Sequence, residues 1–281
     1  HALSVLITQQ NFDKAATELC ITQSAVSQRI KLLEQTIGQP VVVRGQPIVA
    51  TPIGKKLLNH YQQVKVLEQD ILPDLSANHR EQVLAVNIAS NADSLATWLI
   101  PALEQVVHQA KIAMNFVVSD ENRTIEHLKD GEVFGAISTY NKALPGCTFD
   151  MLGEIEYVLV SAPSFQQRYF PGGISHANLS SAPAVSFDQK DDMHVRYILN
   201  QFGLSGDSYP RHTVRSSEAF VNFAKHGLAY CLIPKLQIQR ELSTGELVNL
   251  LPDKPLTRTL YWHRWVLLKG AFKSLSEAIL T

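Results

Sequence analysis

FDKAATELCITQSAVSQRIKLLEQTIGQPVVVR, residues 12–44, decides the fold of this chain. Ala15, Ala16 and Leu19 share one face of a helix predicted over Asp13–Leu19, with Asn11 placed to cap it. The small Ala15–Ala16 pair lets a second helix cross closely. Cys20 and Ile21 make a turn, and Thr22 offers a side-chain oxygen where an N-cap belongs. Val26, Ile30, Leu33 and Ile37 then form the apolar stripe of a helix over Gln23–Ile37, which Gly38 stops. Val41–Val43 and Ile48–Ala50 can pair across the turn Arg44–Pro47 as a small wing. Helix, tight turn, helix and wing is the build of a winged helix-turn-helix, whose second helix enters a DNA groove.

Working outward, Leu3, Leu6 and Ile7 give His1–Thr8 the look of the tail of an earlier helix. The chain opens on His1 rather than Met, so its first residues are expected to be missing. Downstream, Thr51 and Pro52 form a helix start. Leu57, Leu58, Tyr61, Val64, Leu67 and Ile71 continue as one stripe from Ile53 to Leu72, with Pro73 expected to end the helix. A single helix with such a stripe wants a partner, most simply a second copy of itself. The polar stretch PDLSANHREQ, residues 73–82, reads as a hinge.

From Val83 the texture changes. Short apolar runs at 83–89, 112–118, 133–138, 156–162, 182–187, 228–233 and 258–263 alternate with helical patterns. Those patterns fall on Ser94–Gln109, Asn122–Asp130, Met193–Phe202 and Ser216–His226. Alternation of this kind predicts mostly parallel α/β sheets, enough for two lobes around a cleft. The final helix, Phe272–Leu280, is expected to pack back on the first lobe. The whole is α/β with an all-α-type N-terminal module. A DNA-binding domain spans 1–51 and a linker helix with hinge 52–81. A two-lobed domain spans 82–281, with lobe I at 82–160 and 262–281 and lobe II at 161–261.

Composition narrows the class. The 281 residues are 45% hydrophobic and 18% charged, as in ordinary globular chains. Net charge is only −1, yet Lys14–Lys65 carries seven cations against two acids, a basic face suited to nucleic acid. Cys20, Cys147 and Cys231 are odd in number and far apart, against a disulfide framework or zinc site and for a reducing compartment. A redox pair of Cys147 and Cys231 is a minor alternative. No apolar run reaches the length of a membrane span. There is no P-loop, G-x-G-x-x-G or G-x-S-x-G, and the ten histidines are scattered, so an enzyme is not expected. His263-Arg264 at a strand end reads as structural.

The expected DNA-reading residues are Thr22, Gln23, Ser24, Ser27, Gln28, Arg29, Lys31 and Arg44. Gln can pair bidentately with adenine edges and Ser with bases or phosphate, while the cations suit phosphates. Solvation of an exposed face is the plain alternative.

These residues resemble the LysR-type transcriptional regulators. The resemblance runs through Ala15-Ala16, Leu19, Thr22–Ser27, Ile30, Leu33-Glu34, Gly38, Val43-Arg44 and Thr51–Gly54. Asn91–Trp98, Phe187-Asp188 with Asp191–His194, Ser216–Phe220 and Tyr261–Arg264 are similar to the subgroup of arginine-export regulators, also described as inhibitors of chromosome replication initiation. The resemblance implies a cytoplasmic, nucleoid-associated homodimer or tetramer joined through the linker helix. It also implies an effector domain like the periplasmic solute-binding proteins and no cofactor. The effector would be lysine or arginine, the regulated genes those of basic amino-acid export and biosynthesis, and the partners double-stranded DNA and RNA polymerase. An architectural or replication-origin DNA-binding protein with little ligand control is the alternative. Some two hundred residues of two-lobed sequence, which that role does not need, speak against it.

A basic amino acid brings a carboxylate and two cations. Hydroxyls at helix starts suit the first: Ser94, Ser216 and Ser217, with Thr139 at the cleft mouth. Acids following strands suit the cations: Asp93, Asp120, Glu121 and Asp188. Asp93, Glu218 and the pair Asp191-Asp192 could instead serve as helix caps or dipole partners.

Overall fold

The computed structural model describes residues 1–75, 83–109, 111–188 and 192–281, apart from the side chains of 69–75 and 192. The greater part of the expected hinge, and Asp191, lie outside the described residues.

The N-terminal head packs α1 (Ala2–Gln9), α2 (Phe12–Glu18) and α3 (Gln23–Ile37) around one core. Leu3, Leu6, Ala15, Ala16, Val26 and Ile30 are buried there, joined by Val41 and Ile48 of the wing. Asn11 caps α2 by accepting from the Asp13 and Lys14 amides. Thr22 caps α3 by accepting from the Ala25 amide at 3.2 Å. The wing is β1 (Val42–Val43) against β2 (Val49–Ala50), antiparallel. Glu34 ties wing to helix, its Oε1 accepting from the Val41 amide and its Oε2 lying 3.7 Å from Arg44.

The linker helix α4 runs Pro52–Leu75, so Pro73 sits inside its last turn and does not end it. Its apolar stripe divides. Leu57 and Leu58 pack on the head, and Val66 packs on the core of the first lobe. Val64 and Leu67 line a groove with Trp265, Val266 and Leu267.

The remainder is built on one seven-stranded sheet in the order β10 (Val248–Asn249), β6 (Cys147–Ser161), β11 (Leu256–Trp265), β5 (Gly135–Ser138), β3 (Leu84–Ser90) and β4 (Ile112–Val118), with β9 (Cys231–Pro234) pairing β6. Strands β3, β4 and β5 are parallel, as expected. The long strands β6 and β11 are antiparallel, so the sheet is mixed rather than mostly parallel. They thread both halves of the domain. Ile155 touches both cores, whereas Tyr157 and Leu159 already belong to the second, so the crossing comes earlier than the expected 160/161 boundary. Beside it, Leu152 is the extra residue of a β-bulge, since Leu260 faces Gly153 and Tyr261 faces Met151. Gly153 takes a φ of 142° there, a conformation that disfavours a side chain.

The first core is sealed by α5 (Ala92–Ser94), a π-turn (Leu95–Leu99), α6 (Ile100–Gln109) and α7 (Thr124–Lys129). The C-terminal α13 (Gly270–Leu280) closes it with Phe272, Leu275 and Ile279 buried, as expected. The second lobe carries α8 (Pro163–Tyr169), α9 (His176–Leu179), α10 (Asp192–Phe202), α11 (Ser217–Lys225) and α12 (Gln239–Thr244). Its further strands are β7 (Ala184–Ser186) parallel to β8 (Arg211–Thr213), β9 and β10. Cys231 is buried and free, its thiol donating to the Phe220 carbonyl at 3.4 Å. His263 and Arg264 are structural ties: the ring Nε2 donates to the Tyr140 carbonyl at 2.6 Å, and the guanidinium meets Asp150 at 2.6 Å.

Candidate functional sites

The α3 face opposite the core carries Gln23, Ser24, Gln28, Arg29 and Lys31, all exposed, with Ser27 half-buried at its margin. The periodicity of Val26 and Ile30 forces this, because burying that stripe turns the polar residues outward. Arg44 is exposed on the wing beside them. Thr22 is differently engaged, its hydroxyl lying 2.9 Å from Ser24 Oγ and capping the helix.

The second site lies between the lobes. β3, β4 and β7 all end there, and the loops after them line one pocket with α10 and α11. Asn91, Asp93, Asp120, Glu121, Phe187, Met193, Ser217 and Phe220 are among its walls. Parallel strands that stop together leave such a crevice at their carboxyl ends.

Asp93 occupies the centre. From the first lobe its carboxyl accepts from Tyr157 Oη at 2.8 Å and from Ser217 Oγ at 2.6 Å, both on the second lobe. Burial pushes that carboxyl above the usual carboxylate range. Its bonds to Ser217 and Tyr157 oppose the shift, and the charges of Glu218 and Asp120 add to it. Burial, with Asp93 and Glu121 adding, holds the Tyr157 phenol well above its ordinary value, so it stays a donor. Asp120 and Glu121 are also buried. Asn91 is 3% exposed, and neither its amide nitrogen nor its amide oxygen has a hydrogen-bond partner among the described residues. A buried amide without partners costs free energy that an incoming polar ligand can recover.

Of the expected effector residues, Asp93, Asp120, Glu121 and Ser217 line this pocket. Four do not. Asp188 is ion-paired across the lobes, 2.7 Å from the Arg123 guanidinium and 3.6 Å from that of Arg215. Ser216 caps α11, accepting from the Ala219 amide. Thr139 donates to Asn122 Oδ1 at 2.7 Å and is not among the residues lining the pocket. Ser94 is fully buried one residue beyond the wall. Sequence reasoning missed Asn91 and Tyr157 as site residues. Asn91 stood directly after a strand, where an amide also serves as a cap, and Tyr157 looked like one more core aromatic.

Comparison with known proteins fixes the family. Residues 79–271 match the LysR substrate binding domain, and residues 1–55 match the bacterial regulatory helix-turn-helix protein, lysR family. The HTH-type transcriptional regulator ArgP of Aeromonas salmonicida is 49% identical over 280 residues, which span 100% of this chain and 94% of the relative. Among solved structures, ArgP from Mycobacterium tuberculosis superposes with a TM-score of 0.85 at 31% identity, covering 99% of this chain and 94% of that one. Full-length LysG from Corynebacterium glutamicum with bound effector Arg gives 0.79 at 30% identity, with the same coverage. A helix-turn-helix head with its polar helix face outward, a linker helix and a two-lobed domain with a central pocket agree with these matches throughout: the chain belongs to the LysR family of DNA-binding transcriptional regulators and is not an enzyme.

Proposed function

We propose that this regulator senses a basic amino acid, arginine or lysine, in the interlobe pocket. In this reading it controls genes of basic amino-acid export and biosynthesis. The observation that carries the reading is the pairing of an unsatisfied buried amide, Asn91, with two buried acids, Asp120 and Glu121, and the half-buried Asp93. Acids in a buried cleft of low dielectric attract a guanidinium or ammonium group far more strongly than they would in water. Asn91 can then serve the ligand's polar backbone end. The relative from Corynebacterium glutamicum, described with bound Arg, supports the same ligand chemistry.

The head at 1–51 reads double-stranded DNA through Gln23, Ser24, Ser27 and Gln28, with Arg29, Lys31 and Arg44 on phosphates. Thr22 holds the helix start. The linker at 52–81 joins two copies into a homodimer, and dimers into a tetramer. The domain from 82 onward carries the ligand signal to RNA polymerase in the cytoplasm. No described helix is long and apolar enough to cross a membrane.

Titration calorimetry with L-arginine, L-lysine and L-citrulline tests the ligand. The cationic pair binds, and citrulline, which has the same shape without the charge, does not. Asp120→Asn weakens L-arginine by about tenfold or more, as expected for a hydrogen bond to a charged group. Equal binding of citrulline, or an unchanged affinity in Asp120→Asn, overturns the reading.

A further inference from the structure

Helix α7 begins at the pocket and ends on the linker helix. At its start, the Arg123 and Thr124 amides bond to the carbonyl of Asp120, a pocket wall residue. Along its length, Ile125 and Leu128 are buried in the first core, and the Thr124 hydroxyl donates to the Ile137 carbonyl at 2.6 Å. At its end, the last carbonyls of a helix lack partners within that helix. Here α4 supplies one: the Asn59 amide donates to the Lys129 carbonyl at 2.7 Å and more weakly to that of Leu128 at 3.4 Å. Lys55, one turn earlier on α4, meets Asp130 at 2.6 Å. Gly131 lies so close to Asn59 that a Cβ there would collide with the Asn59 backbone. One short, firmly packed helix thus joins a ligand-lining acid to the helix that carries the DNA-reading head.

We infer that Asn59 is the positioning residue that transmits a change at the interlobe pocket to the linker helix, by holding the C-terminal end of α7. A cation drawn to Asp120 moves the start of α7. Ile125 and Leu128 hold α7 together as one piece on the first core, so a displacement of its start reaches its end and pulls on Asn59. Coupling of this kind needs a physical element that both sites bias, and α7 is that element. The inference rests on the proposed arginine reading for its ligand.

Hydrogen exchange on the full chain, with and without saturating L-arginine, tests it. In the wild type, L-arginine changes exchange of α4 amides between residues 55 and 68 by about threefold or more. Asn59→Ala keeps L-arginine affinity by calorimetry but loses this change. Gly131→Ala, which pushes α7 off α4 from the other side, loses it too. A wild-type response that persists equally in both variants overturns the inference, as does L-arginine binding that leaves α4 exchange unmoved in the wild type. No L-arginine binding at all by calorimetry overturns the effector reading, and the inference falls with it.

Discussion

Asp93 joins the two lobes through single atoms. Its partners are the neutral hydroxyls of Tyr157 and Ser217, while the charges of Glu218 and Asp120 repel it. Its raised pKa has a measurable consequence. A cation binds the ionised form, so the proton must leave, and L-arginine affinity should fall as pH is lowered through that raised value. Calorimetry over a series of falling pH in buffers of different ionisation enthalpy should register proton release on binding. Asp93→Asn should abolish the buffer dependence. An arginine affinity flat across that series would refute the assignment. None of this geometry is written in local spacing. Tyr157 stands 64 residues from Asp93 and Ser217 stands 124 away, so only the folded sheet brings them together. Asp188 followed a strand just as Asp120 did, yet Arg123 took it as an ion pair, a choice no single-chain pattern encodes.

At the scale of elements, legibility followed periodicity. α3 was readable to the residue because a cap, an apolar stripe and a stopping glycine all agree. The first half of β6 was not. CTFDMLGEI alternates poorly and is largely half-buried or exposed, so it carries no strand signature, although pairing with β11 makes it one. The agreement at α3 also separates two roles within one helix. Thr22→Ala should lower the stability of the head by about 1 kcal/mol through loss of the cap. Gln28 is exposed, so Gln28→Ala should leave the melting temperature unchanged. It should weaken a selected DNA site by about 1–3 kcal/mol relative to random duplex. Thermal melts beside competition gel shifts distinguish the two, and a matching loss on specific and random DNA would remove Gln28 from base reading.

At the scale of the whole molecule, one contribution to acid stability comes from a histidine of the second lobe. His194 is buried with no hydrogen-bond partner among the described residues on either ring nitrogen, against the rings of Tyr209 and Tyr230. Burial, and secondarily the Arg211 charge, push its pKa from 6.5 down to about 3. The unfolded chain takes up that proton first. The contribution of His194 to stability is therefore complete above its ordinary value and is lost as pH falls toward the folded one. The slope reaches about 1.4 kcal/mol per pH unit for one proton. His194→Phe should therefore melt closer to wild type, or above it, at pH 5 than at pH 7.5. A constant difference between the two proteins across that range would contradict the buried, neutral ring.

The order in which the sheet is strung has a further consequence for how the protein is born. β5 pairs with β11, so Gly135–Ser138 must wait for Tyr261–Arg264 to be synthesised. A nascent chain leaving the ribosome therefore completes most of the later lobe while the earlier one still shows a bare strand edge, an invitation to wrong pairing. The half of the effector domain translated first is thus the half whose sheet is finished last.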